Sequence, residues 1–232
     1  RQHHHRSEST AHYGDNLVSV GFVVHLNYEN PYLSPYDEFQ RFKTHPAIRD
    51  VFAGGRRIAY GARALTEGGW QSIPKLVFPG GALVGCAAGF MNVPRIKGSH
   101  NAILSGIDAA DAIVAALGEE RALDTLDAYE TAVLSGEVAR DLKRVRNAKP
   151  LWSRFGTALG VALGGVDMWM RTLLFGWSPL GTLRHKKADH ETLVRADKAE
   201  PIVYPKPDGV LTFDKLTSVS FSATDHEEDQ PV

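Results

Sequence analysis

The sequence contains a single cysteine, Cys86, in 232 residues. One thiol excludes a disulfide framework within the chain and any zinc or iron–sulfur site built from four of its own cysteines. Acidic and basic residues nearly balance, at 27 against 26, so the chain lacks the positive surplus that nucleic-acid binding requires. The Gly-x-Gly-x-x-Gly fingerprint of dinucleotide-binding folds is absent, and no Ser-His-Asp order, metal-ligand spacing or carboxylate pair indicates hydrolysis or a metal site.

The remaining composition is that of a folded protein, with 43% hydrophobic residues, 22 glycines and 12 prolines. A chain of this length can bury roughly 70% of its unfolded surface, in one large domain or two small ones. The sequence has no initiating methionine, and we expect it to be part of a longer protein. Residues 1–12 are polar and rich in histidine, which predicts a disordered N-terminus; His3 to His5 offer no more than adventitious metal binding.

Apolar β-branched residues within 16–27 predict a buried strand. Ser34 is a candidate N-cap, with Pro35 at the first position of a short helix. Short segments at 57–60 and 75–78, separated by glycines and proline, are interpreted as strands of a mixed sheet. Two short strands are also predicted near the C-terminus, at residues 210–213 and 219–221.

Two helices are predicted in the middle of the chain. The first runs from an N-cap at Ser99 to residue 117, and its spacing predicts an inward face that consists of Ile103, Ile107, Ala110, Ile113 and Leu117. The second runs over 123–147, with an inward face consisting of Leu126, Tyr129, Val133, Val138, Leu142 and Val145. Lys149-Pro150 is interpreted as a break after it.

A short strand at 82–84 leads into small residues and then into the helix at Ser99. This geometry suits a cofactor, because small residues allow close approach and the helix start favours negative charge. A flavin would place its N1–C2=O region there, and Asn101 could add a side-chain hydrogen bond. A tight ligand-free turn remains an alternative. Cys86 is interpreted as a packing residue, since no second cysteine could resolve it.

Longer motifs make the sequence recognisable. They are Asn30-Pro31-Tyr32-Leu33-Ser34-Pro35, the run from Ile58 to Leu65, Gly89-Phe90-Met91-Asn92-Val93-Pro94, the run from Tyr204 to Gly209, and the closing stretch from Asp225 to Val232. In this order they resemble the electron transfer flavoprotein–ubiquinone oxidoreductase family, from about residue 13 to residue 232.

The resemblance implies an enzyme on a bacterial plasma or mitochondrial inner membrane. It would pass electrons from electron transfer flavoprotein through FAD and a [4Fe-4S] cluster to ubiquinone. The family's pyrophosphate loop would precede this chain and its cluster domain would follow residue 232, so the fragment alone should bind FAD weakly and be inactive. The family's quinone-contacting Tyr-Gly-Gly has no counterpart in residues 1–11. No catalytic side chain is assigned, and the implied FAD contacts are Gly85, Cys86, Ala87, Ala88, Gly89, Phe90, Met91, Asn92 and Asn101.

The implied fold class is α/β, or mixed α+β: part of a glutathione-reductase-like FAD-binding domain, with an inserted quinone-binding domain and a membrane-surface helix. We assign residues 13–78 to the quinone-binding domain and 79–117 to the FAD-binding domain. Residues 118–200 form a helical segment, and residues 201–232 a tail leading toward a ferredoxin-like cluster domain.

The apolar stretch 155–177 is long enough to span a bilayer, but it contains Asp167 and Arg171. Each of these would cost about 2.5–3.5 kcal/mol at the centre of a spanning helix, although at i,i+4 they can pair. Its glycines also weaken a continuous span. A helix lying in the membrane surface fits better, with lipid contacts from Val161, Trp169, Met170, Leu173, Leu174, Phe175 and Trp177. A buried helix remains the alternative.

Two other functions remain open at this stage. One is a membrane-associated FAD dehydrogenase that resembles geranylgeranyl reductases and lacks an iron–sulfur domain. The other is a non-catalytic module that binds the membrane surface through residues 155–177.

Overall fold

A computed structural model describes residues 6–14, 16–121, 124–185 and 187–223, with backbone alone for 6–13. The histidines at 3–5 and the closing residues 225–232 lie outside this description. The strands are β1 (Arg6–Tyr13), β2 (Leu17–Val24), β3 (Val77–Phe78) and β4 (Gly81–Ala82). The helices are α1 (Pro35–Lys43), α2 (Ser99–Gly118), α3 (Asp127–Ser135), α4 (Glu137–Val145), α5 (Ala148–Leu173) and α6 (Lys215–Val219). Short 3₁₀ turns lie at Arg49–Phe52, Trp70–Ser72, Gly85–Ala88, Val93–Arg95, Asp189–Thr192 and Ala196–Lys198.

The chain divides into two compact units, one formed by residues 1–63 with 187–232 and the other by 64–186. In the first unit, β1 pairs antiparallel with β2, and Tyr13 lies opposite Leu17 across a tight turn. The sequence prediction of disorder over 1–12 is therefore wrong for residues 6–12. Polar residues can form a strand where an apolar partner such as β2 supplies the backbone hydrogen bonds.

Helix α1 begins as its sequence predicts. The Ser34 hydroxyl accepts a hydrogen bond from the Asp37 amide at 3.3 Å, and Pro35 occupies the first helical position. The ring of Phe42 packs on that of Phe22 from β2, with centroids 5.2 Å apart. Capping fixes the start of α1, and the aromatic contact attaches the helix to the β1–β2 pair.

The C-terminal part of the first unit returns to this helix without forming the strands predicted at 210–213 and 219–221. Residues 215–219 form α6 instead, capped by Asp214. The Arg57 guanidinium lies over the rings of Phe213, at 3.7 Å, and Phe221, at 4.2 Å. Arg57 also donates to the Ser218 hydroxyl at 2.9 Å. Residues 57–60 are accordingly a contact segment, not the strand predicted there.

In the second unit, α2, α3 and α4 pack together beside the short β3–β4 hairpin. The core consists of Leu76, Val77, Ala88, Phe90, Ala109, Tyr129, Val133, Val138 and Leu142. The two described sheets are separate two-stranded antiparallel pairs, so the mixed sheet expected from the sequence is not formed within the described residues. Helices with small sheets are compatible with the predicted α/β class.

Helix α2 turns a different face inward from the one predicted. Its buried residues are Asn101, Ser105, Ala109 and Ala116, whereas the predicted inward set of Ile103, Ile107, Ala110, Ile113 and Leu117 is exposed. The helix begins one residue earlier than predicted, with Gly98 and not Ser99 at the N-cap. Small residues face inward because α2 approaches its neighbours closely, and Ala110, Ile113 and Leu117 of the predicted set line an open apolar groove beside β4. Among the described residues, α2 alone is long and apolar enough to cross a membrane, a test that core helices also pass.

The helix predicted over 123–147 is broken at Gly136 into α3 and α4. A Cβ atom at this position would lie 2.5 Å from the Ala132 carbonyl oxygen, so the turn between the helices requires glycine. Of the predicted inward residues, Tyr129, Val133, Val138 and Leu142 are buried, and Leu126 and Val145 are half-buried. The pattern therefore predicted the buried face correctly across the break.

Helix α5 is sharply bent at Gly156, where φ is 74° and ψ is −174°. Glycine alone adopts this conformation readily. The bend brings the two halves of the helix together, because a Cβ at Gly160 would lie 2.6 Å from the Trp152 Cα. Pro150 lies in the first turn, where proline is tolerated, so Lys149-Pro150 does not mark the predicted break.

We predict that Leu142→Ala lowers the free energy of unfolding by about 2–5 kcal/mol, since Leu142 is fully buried in the core. Leu216, a largely exposed leucine of α6, provides the matched control, and Leu216→Ala should change stability by less than about 0.5 kcal/mol. Urea unfolding followed by circular dichroism measures both values. Equal losses in the two variants would contradict this placement of the core.

Candidate functional site

The small-residue segment predicted to face a cofactor forms a 3₁₀ turn, Gly85–Ala88, that lies against the first turn of α2. Gly85 has φ 57° and Gly89 has φ 79°, values in the left-handed region that favours glycine. A Cβ at Gly85 would lie 3.0 Å from the Ala102 Cβ. The Gly85 amide donates to the Ser105 hydroxyl of α2 at 3.0 Å. The turn is thus fixed to the helix by close approach and by a buried hydrogen bond.

Exposure divides the nine predicted FAD contacts. Cys86 and Ala87 are exposed, and the other seven are buried. Phe90 belongs to the hydrophobic core. Cys86, interpreted from the sequence as a packing residue, is exposed, and its sulfur lies 3.1 Å from the position that a Cβ on Gly98 would occupy. A ligand at this turn would contact residues 86 and 87 first.

Asn101 lies fully buried at the start of α2. Its amide nitrogen donates to the Phe90 carbonyl oxygen at 3.0 Å and to the Asp141 Oδ2 at 3.1 Å. Because both partners are acceptors, the amide orientation is fixed. The Asn101 Oδ1 is buried and has no hydrogen-bond partner among the described residues. The two N–H groups of Asn101 are therefore already used, and Oδ1 is the atom of this side chain that retains unused hydrogen-bonding capacity.

Asn92 is the N-cap of the 3₁₀ turn Val93–Arg95, which precedes α2 in the chain. Its Oδ1 accepts from the Arg95 amide at 3.3 Å and its Nδ2 donates to the Asp141 Oδ2 at 2.9 Å. These bonds cap the short turn Val93–Arg95. The contacts seen for Asn92 are structural, and they shape the backbone that leads to α2.

Asp141 of α4 joins these residues, and sequence reasoning did not single it out. Its Oδ2 also lies 3.0 Å from the His100 Nε2, and its Oδ1 lies 3.4 Å from the Arg95 guanidinium. Burial raises the pKa of Asp141, but the hydrogen bonds from Asn92, His100 and Asn101 and the charge of Arg95 outweigh it and hold the pKa below its ordinary value. The sequence did carry one signal for Asp141: it lies three residues after the inward-facing Val138, a spacing that places both on one side of the helix.

A second candidate surface lies at the C-terminal end of α5. Of the seven residues predicted to contact lipid, Met170 is half-buried and the others are exposed. Phe175 is fully exposed and has φ 51°, a left-handed conformation that is unusual for a bulky residue. We call the exposed set Trp169, Leu173, Leu174, Phe175 and Trp177 the apolar tip.

A buried ion pair anchors this tip. The Arg171 Nε donates to the Asp167 Oδ2 at 2.8 Å, with both side chains almost completely buried. Arg171 also donates to the carbonyl oxygens of Gly176, at 3.1 Å, and Gly181. Ser178 donates to Asp167. The predicted i,i+4 pairing is confirmed, and it ties the segment that follows α5 to the helix itself.

We predict that Arg171→Ala lowers the free energy of unfolding by about 3–5 kcal/mol, because it leaves the Asp167 charge buried and unpaired. Arg195→Ala is the control. It removes the exposed Arg195–Asp197 pair and should cost less than about 1 kcal/mol. Thermal and urea unfolding compare the two variants, and similar small losses would show that the α5 pair is not buried as described.

A comparison with protein-family models matches residues 6–65 to the family described as "ETF-QO, ubiquinone-binding". This match begins inside the stretch expected to lie outside the family and lies almost entirely within the first unit. Among the described residues, no group of three histidine, cysteine or acidic side chains is arranged to hold a metal ion.

Curated relatives match nearly the whole chain. The mitochondrial electron transfer flavoprotein-ubiquinone oxidoreductase of Rattus norvegicus is 51% identical over 224 residues, or 94% of this chain and 36% of the rat protein. The Caenorhabditis elegans protein of the same name is 51% identical over 228 residues with the same shares. A probable mitochondrial member from Schizosaccharomyces pombe is 50% identical, over 94% of this chain and 34% of its own length. The chain spans about a third of the length of these relatives.

Proposed function

Because this chain is homologous to part of the electron transfer flavoprotein-ubiquinone oxidoreductases, we propose that it serves in the same reaction. The whole protein would take electrons from reduced electron transfer flavoprotein and deliver them to ubiquinone at a membrane. Because the relatives are named as mitochondrial proteins, we propose the mitochondrial inner membrane. The observation that carries this proposal is about 50% identity over 94% of the chain. The same identity favours it over the geranylgeranyl-reductase-like enzyme and the non-catalytic membrane module.

In this proposal, the first unit contributes to ubiquinone binding. The family-model match at residues 6–65 covers the β1–β2 pair and α1. The contact of Phe22 with Phe42 packs α1 against β2, and the Ser34 cap fixes where α1 begins. Together they would form one side of an apolar binding site for the quinone ring, since sites for small molecules are usually apolar and largely preformed.

The second unit would supply one side of an FAD site, at the Gly85–Ala88 turn and the start of α2. FAD, when bound, supplies the redox chemistry, and the protein supplies binding, orientation and electrostatics. Two observations fit a flavin here. The exposed turn residues Cys86 and Ala87 leave the backbone accessible, and the buried Asn101 Oδ1 lacks a donor that a ligand N–H could provide.

The [4Fe-4S] cluster does not fit this chain. A cluster of this type is held by four thiolates, and the sequence holds Cys86 alone. The four thiolate ligands of a cluster would therefore have to come from other parts of the protein.

The apolar tip after α5 would rest on a lipid bilayer that contains anionic headgroups. Its exposed aromatic residues suit the headgroup boundary, and exposed Arg184 and Lys187 follow closely in the sequence, where they can attract anionic lipid. The buried Asp167–Arg171 pair fixes the conformation of the tip before binding, so contact with the membrane would cost little conformational entropy.

We predict that Ala87→Glu lowers flavin affinity by about tenfold or more, equivalent to about 1.4 kcal/mol, because it places a bulky charge on the exposed turn. Ala115→Glu is the control: it makes the same change at an exposed position near the other end of α2 and should retain the flavin. Flavin per protein, read from the visible spectrum of the full-length protein, tests this. Full flavin content in Ala87→Glu would contradict the proposed site.

We predict that Phe175→Asp lowers binding to anionic vesicles by about tenfold or more, since burying a phenylalanine side chain contributes about 1.5–3 kcal/mol. Aspartate tolerates the left-handed backbone at this position, so folding should be unaffected. Val203→Asp changes another highly exposed apolar residue outside the tip and should bind like the parent. Co-sedimentation with vesicles distinguishes the two, and equal binding by both variants would remove the tip from the membrane contact.

A further inference from the structure

The Asp141 carboxylate is the shared acceptor for three side chains at the start of α2. Asn92, His100 and Asn101 all meet its Oδ2, at 2.9, 3.0 and 3.1 Å. These residues come from the loop before α2 and from its first turn, whereas Asp141 belongs to α4. One oxygen atom on a neighbouring helix therefore fixes three side chains around a single point.

Two of these three residues belong to the proposed flavin contacts. The Asp141 oxygen and the Phe90 carbonyl oxygen together hold the Asn101 amide so that its Oδ1 is the atom left without a partner. If Asp141 no longer accepted this hydrogen bond, the Asn101 amide would lose one of the two contacts that define its orientation. Asp141, which is not one of the proposed flavin contacts, therefore determines which atom of the Asn101 amide remains without a partner.

Asp141 also places a negative charge at the end of α2 where the helix dipole is positive. Its side chain is 16% exposed, while the compensating Arg95 is 59% exposed and screened by solvent. The lowered pKa keeps the carboxylate ionised at neutral pH. The positive end of the helix is therefore partly offset by a fixed anion.

We propose that Asp141 is a positioning residue of the flavin site, which orients Asn92 and Asn101 and, through its charge, lowers the reduction potential of a flavin bound at the start of α2. This inference rests on the proposed function. Reduction adds negative charge to the flavin, and a nearby fixed anion opposes that addition. Removing the anion should therefore make reduction easier.

The test measures the flavin midpoint potential by spectroelectrochemistry in the full-length, flavin-loaded protein. Asp141→Asn should shift the potential in the positive direction. Asp141→Glu keeps the charge and should have the same potential as the parent. Asp111→Asn is the matched control, because it removes the same charge from an exposed position further along α2 and should leave the potential unchanged.

The outcomes are distinct. If the full-length parent holds no flavin, the proposed function fails. If the parent and Asp141→Asn both hold flavin at the same potential, or if Asp111→Asn shifts it equally, this inference alone is overturned.

A second variant covers the case in which Asp141→Asn does not fold. Arg95 is largely exposed, so Arg95→Gln should fold and remove the cation that partly neutralises Asp141. We expect its potential to shift in the negative direction. An unchanged or more positive potential in Arg95→Gln would overturn the electrostatic role of Asp141.

Discussion

The second unit depends on the close approach of the Gly85–Ala88 turn to the first turn of α2. A Cβ atom on Gly85 would lie only 3.0 Å from the Ala102 Cβ. The same approach brings the Phe90 carbonyl oxygen within 3.0 Å of the Asn101 side-chain nitrogen. Asp141 then joins the loop, the helix start and α4 through one carboxylate. The half-buried Asp141 carboxylate is stabilised because three side-chain partners and a nearby guanidinium face it, and the proposed flavin site is built on that arrangement.

The same physical device recurs at the other end of the unit. The Asp167–Arg171 pair is buried and connected to the backbone of the segment that follows α5. This network holds Phe175 in an exposed, left-handed conformation that the residue would not adopt by preference. Each candidate surface, the Gly85–Ala88 turn and the apolar tip, thus depends on a carboxylate outside that surface, which is half-buried at Asp141 and fully buried at Asp167.

Sequence reasoning was most successful where the signal was local. The Ser34 cap and Pro35 predicted the start of α1, and the i,i+4 spacing predicted the Asp167–Arg171 pair. It was least successful for α2, where periodicity selected the aliphatic stripe as the buried face. The helix buries Ala109 and Ser105 instead, because neighbouring elements approach it more closely than bulky side chains would allow. Periodicity identifies an apolar face but cannot identify which partner the helix packs against.

The sequence by itself determined the cap and start of α1, the small-residue turn and the homology that indicates the reaction, since these depend on residues close together in the chain or on the order of motifs. Tertiary structure alone decided that the Asn101 amide nitrogen donates to Asp141 and that its Oδ1 is left without a partner among the described residues, because Asn101 and Asp141 are 40 positions apart and meet only when α4 packs beside α2. Hydrogen-bond orientation depends on which acceptors converge in space, and linear spacing does not carry that information.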